Sequence, residues 1–149
     1  MATKADFTDE EWKALQGGVT GAATYVATVD RSFFDSFKEA SALAHHLRDA
    51  HTKSESALIR DIAQGHERPF GLTASPEEIE HSTVATLEQA VATLTAKAPD
   101  ELPAYKQLVL DVAESVAEAA KGVSAEENTA LDHVRAALEV LAFFHALAA

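Results

Sequence analysis

Glu78-Ile79-Glu80-His81 is the stretch of this chain whose residue types and spacing come nearest to chemistry. A Glu and a His three positions apart share one helical face, and di-iron carboxylate bundles use such pairs as metal ligands. That site also needs a second Glu-x-x-His and two further glutamates, and the chain has no second Glu-x-x-His. Glu78 stands three residues after Ser75, where it would close a capping box. Glu78 and His81 are therefore a candidate ligand pair for a metal-dependent helical enzyme or a metal carrier, with helix capping as the alternative.

The rest of the inventory is thin. The chain has seven histidines and no cysteine, which removes thiolate nucleophiles, iron–sulfur clusters and Cys-ligated zinc. No Gly-x-Ser-x-Gly elbow, phosphate-cradling Gly-rich loop or His-Glu-x-x-His is present, and no residue is marked as catalytic. His45 and His133 each follow a glutamate by six residues, which sets the two side chains about 120° apart on a helix and argues against local chelation. His66-Glu67-Arg68 lies in the long connection 65–73, beside Phe70, which reads as a core plug closing a connector.

Twelve basic against twenty-four acidic residues give a net charge of −12, which repels a phosphate backbone and speaks against a nucleic-acid partner. Protonating every histidine in acid would bring the charge only to about −5. The charge suits solubility, divalent cations or a basic protein partner. The start lacks an apolar run behind its lysine, so no signal peptide is expected. The apolar stretch 134–149 is interrupted by Arg135, Glu139 and His145 and is too short to span a bilayer. A cytoplasmic protein without a membrane role, monomeric or homodimeric, is the expectation.

The elements that must position these residues are helices. Apolar residues recur at three and four with no alternation of period two, which predicts an all-α, single-domain bundle of about six helices. A chain of 149 residues can bury roughly 68–70% of its unfolded surface and needs no disulfide or metal staple. Ser or Thr followed three residues later by Glu marks helix starts at Thr8/Glu11, Ser36/Glu39, Thr52/Glu55, Ser75/Glu78 and Ser124/Glu127. The predicted helices run about 8–29, 36–51, 53–64, 75–97, 101–121 and 124–147. Gly17, Gly18 and Gly21 predict a kink or break in the first. The last is apolar nearly all round when Ala137, Val140, Phe144 and Leu147 join Leu131, Val134, Leu138 and Leu141, which places it at the centre of the bundle.

The chain also repeats itself. Ser36, Glu39, Ala42, Leu43 and His45 recur in the same frame as Ser124, Glu127, Ala130, Leu131 and His133. Capping chemistry explains the Ser, the Glu and a buried Leu. A preceding apolar helix in both copies suggests duplication, with 19–47 and 109–138 as helix–turn–helix units about a pseudo-twofold and 53–97 as connecting helices.

Residues 105–138 resemble the repeat unit of the TerB-like tellurite-resistance family through Val116, Ala117, Gly122, Val123, Ser124, Glu127, Leu131 and Leu138. The first half resembles it more faintly through Val26, Val29, Asp30, Ser36, Glu39 and Leu43. The resemblance implies a pseudo-twofold helical bundle, a non-enzymatic interaction or stress-response role, and acidic turns that hold a divalent metal. A helical scaffold that docks a protein partner is the neighbouring alternative. This chain departs from the family at Ala120-Lys121-Gly122, where a lysine replaces acidic character, and Arg31 follows Asp30 in the first turn. The resemblance thus directs a metal to Asp30, Asp35 and Glu39, whose oxygen-only ligands would favour calcium or magnesium over zinc. The same three acids serve equally well as helix-end residues, with Arg31 pairing Asp35.

Overall fold

The computed structural model describes residues 2–29, 36–64, 75–119 and 125–148, and within these all side chains except those of 36–41, 119, 125, 127 and 140–148. The described residues form an all-helical bundle without strands. Its helices are α1 (Asp9–Val29), α2 (Ser36–Lys53), α3 (Ala57–Ala63), α4 (Pro76–Lys97), α5 (Leu102–Ala119) and α6 (Ala125–Ala148), with 3-10 turns at Lys4–Asp6 and Pro99–Glu101. The predicted helices lie within a few residues of these. No described helix is long and apolar enough to cross a membrane.

Local chemistry explains most of the boundaries. At α1 the Thr8 hydroxyl accepts from the Glu11 N–H at 3.1 Å, while the Glu11 carboxylate accepts from the Thr8 N–H at 2.8 Å. Lys97 adds an ion pair to Glu11 at 2.6 Å and, with the Thr8 cap, holds its carboxyl below the usual carboxylate range. At α4, Ser75 and Glu78 make the same reciprocal pair, and Pro76 occupies the first helical position, where an N–H would lack a partner.

The Thr52/Glu55 start is overturned. Here α2 continues to Lys53, and the Thr52 hydroxyl donates back to the carbonyls of Arg48 at 2.9 Å and Asp49 at 3.3 Å. Helix α3 begins later, behind Ser56, whose extended backbone (φ −84°, ψ 122°) aims its oxygen at the Ile59 N–H, 3.1 Å away. The boxes at Ser36/Glu39 and Ser124/Glu127, and the connection 65–73 with Phe70, lie outside the described residues or side chains.

The expected break in α1 is also overturned, because the glycines serve packing instead. The helix is continuous, and a Cβ on Gly18 would lie 2.4 Å from the Tyr105 hydroxyl and 3.1 Å from Leu87. Removing that Cβ lets α4 and α5 approach closely, and the buried Thr83 hydroxyl donates to the Gly21 carbonyl at 3.2 Å. The central element is accordingly α1, which packs on α4, α5 and α6 and buries Leu15, Val19, Ala22 and Val26 almost completely. The side chains of Val140, Leu141, Phe144 and Leu147, on which the expected central place of α6 rests, lie outside those described, and over the preceding turns α6 is one-sided. Leu131, Val134, Ala137 and Leu138 face the core, while Asp132, His133, Arg135 and Glu139 face outward. Leu131 is buried, whereas its repeat partner Leu43 is only half-buried against the same core.

Candidate functional site

Three polar side chains from three helices meet at one edge of the core. Tyr25 of α1 lies with its hydroxyl 2.8 Å from His133 Nδ1 of α6, and Glu80 of α4 places Oε1 3.0 Å from the same nitrogen. The Tyr25 and His133 rings are nearly parallel, 9° apart, with centroids separated by 6.3 Å. A carboxylate cannot donate, so the 3.0 Å contact to Glu80 requires Nδ1 to carry the proton, which it shares between the carboxylate and the phenol oxygen.

Burial, and then the Glu80 charge, push the Tyr25 phenol up to about 12. Tyr25 therefore stays protonated across the physiological range. That makes it a hydrogen-bond donor and a poor base or nucleophile. The cluster ties α1, α4 and α6 together through one imidazole. Its chemistry is orientation: His133 is held at a fixed angle with Nδ1 turned inward, and its side chain remains 44% exposed.

The residues singled out in the sequence fall elsewhere. Asp30 and Asp35 lie outside the described residues, and only the backbone of Glu39 is described, in the first turns of α2. Glu78 is exposed, and its carboxylate accepts the Ser75 N–H at 3.2 Å, so it serves the helix start; His81 is exposed one turn later. Among the described residues, no three His, Cys, Asp or Glu side chains stand close enough to hold a metal ion. The repeat-related histidines part company, since His45 is exposed and pairs with Asp49 at 3.5 Å while His133 joins the cluster.

Sequence reasoning missed Tyr25 and Glu80. A signal for Glu80 exists, because Glu80, Val84, Leu87 and Val91 follow one another at four, three and four, which places a carboxylate on the apolar stripe of α4. No such mark distinguishes Tyr25, which reads as one more large residue on a buried face.

No protein-family model, curated protein or solved structure matches this chain.

Proposed function

We propose that this chain is a non-enzymatic interaction module of the TerB-like type, a stress-response protein. In it, a calcium or magnesium ion held weakly by Asp30, Asp35 and Glu39 steadies the first helix–turn–helix for a protein partner. The observation that supports the reading is the way the helices interlock. Helix α2 packs mainly on α5, and α6 packs on α1 more than on α5, so the second helix of each presumed unit leans on the first helix of the other. The two first helices, α1 and α5, pack directly on one another, while of the connecting helices α4 packs on α1 and α6, and α3 packs mainly on α2 and touches α1 and α5 about alike. Two units related by a pseudo-twofold running between α1 and α5 would produce this pattern.

The test is calorimetric titration of calcium and magnesium into the wild type and into the Asp30→Asn and Glu39→Gln variants. The wild type should give a saturable heat that both variants reduce. A hundredfold excess over the dissociation constant should raise unfolding stability by about 2.7 kcal/mol. No heat from the wild type, or equal heat from all three proteins, would remove the cation and its role in this reading.

A further inference from the structure

A groove of about 380 Å³ opens between α2 and α3. Its walls are apolar, formed by Leu43, Ala44 and Leu47 of α2 and by Ala63 of α3. Leu47 and Ala63 belong to the core, so the groove floor is the bundle interior itself. The volume falls in the range of small-molecule clefts and is too small to seat a partner helix.

One end of the groove is polar and fixed. His51 Nδ1–H donates to the Arg60 carbonyl at 3.2 Å, which leaves Nε2 as the acceptor for the Gln64 amide at 3.3 Å. Both histidine nitrogens are thereby occupied, and the ring acts as a wall. The remaining polar side chain of the lining is Arg48, exposed on α2 one turn beyond Ala44. Its cationic neighbours are already engaged: Lys53 pairs with Asp49 at 3.4 Å, and Arg60 donates to the Ser54 carbonyl at 2.7 Å. Among the described residues, the Arg48 guanidinium has no anionic partner. Arg48 thus sets one cation at the mouth of an apolar cleft.

We infer that this groove binds a small amphipathic carboxylate, an apolar tail with a single anionic head. The tail lies along Leu43, Ala44, Leu47 and Ala63, and the head pairs with Arg48 in the two-pronged geometry that guanidinium and carboxylate share. Complementarity selects the head, because an uncharged or cationic head would leave Arg48 as it is or repel it. The acidic surface elsewhere on the chain does not prevent this, since exposed charges farther than about 10 Å are largely screened at ordinary ionic strength. This inference is independent of the TerB-like reading and of the cation at the first turn.

Decanoate, held below its micellar concentration, is the probe, titrated by calorimetry into the full chain. One saturable site is expected in the wild type. Arg48→Gln should weaken it about tenfold, the loss of one charge-assisted pair. Ala44→Phe, which adds a ring from an exposed helical position into the groove, should abolish binding. 1-Decanol should bind about tenfold more weakly than decanoate, and decyltrimethylammonium should not bind. Helical content and melting temperature of each variant should match the wild type, which separates loss of the site from loss of the fold. No saturable binding to the wild type, equal binding in all variants, or equal affinity for acid and alcohol would overturn the inference. Displacement of decanoate by an acidic peptide of higher affinity would also overturn it, by giving the groove to a protein partner.

Discussion

The Tyr105 hydroxyl donates to the Leu15 carbonyl at 2.8 Å, across the space that Gly18 leaves by having no side chain. Tyr105 is fully buried, so this bond satisfies a phenol that could find no water. A glycine in mid-helix ordinarily weakens a helix by up to about 1 kcal/mol relative to alanine. Here the sign should reverse. Gly18→Ala forces the new Cβ against Tyr105 and Leu87, and a loss of about 2 kcal/mol is expected. Gly17 is the control, because its Cβ would meet Thr86 at an ordinary 3.6 Å. Gly17→Ala should therefore gain about 0.5–1 kcal/mol. Urea unfolding of the two variants decides the matter, and a gain from both would show that α1 does not need the close approach.

The two tyrosines should titrate late. Tyr25 is raised to about 12, by burial first and the Glu80 charge second, and burial raises Tyr105 as well. A phenol whose folded value lies above its unfolded value of about 10 contributes stability that is whole below that pH. The contribution is lost as pH rises toward the folded value. Phenolate absorbance should therefore stay low past pH ~10 and rise together with the loss of helical circular dichroism. Glu80→Gln removes the second cause and should let Tyr25 ionise at lower pH, while burial keeps it above the ordinary range. Ionisation of either tyrosine near its ordinary value in a chain that is still helical would contradict the burial of both rings.

Capping substitutions should separate the true helix starts from the apparent one. Ser75→Ala removes the acceptor for the Glu78 N–H and should cost about 1 kcal/mol. Ser56→Ala should cost at least as much, because its hydroxyl both caps α3 and donates to Glu101 at 2.5 Å. Thr52→Ala should cost nearly nothing, since its hydroxyl bonds back within the last turns of α2 and caps no helix. Thermal melts of the three variants provide the check, and a loss at Thr52 equal to that at Ser75 would restore the earlier start.

The sequence by itself determined that this chain is helical and where most helices begin. Those facts depend on interactions spanning three or four residues, such as Thr8 with Glu11 and Ser75 with Glu78, and on an apolar stripe that any helix must bury. Local rules failed where two local outcomes compete. Thr52 can cap a new helix or bond back into the old one, and the better-placed Ser56 decided between them. Only the tertiary structure decided which polar groups meet. Tyr25, Glu80 and His133 sit on three helices far apart in the chain, and their 2.8 and 3.0 Å contacts exist because α1, α4 and α6 pack with those faces together. The role of Gly18 was decided in the same way. Conformational freedom alone makes a glycine a weak point in a helix, but the arrival of Tyr105 and Leu87 from other helices turns that missing side chain into a requirement of packing.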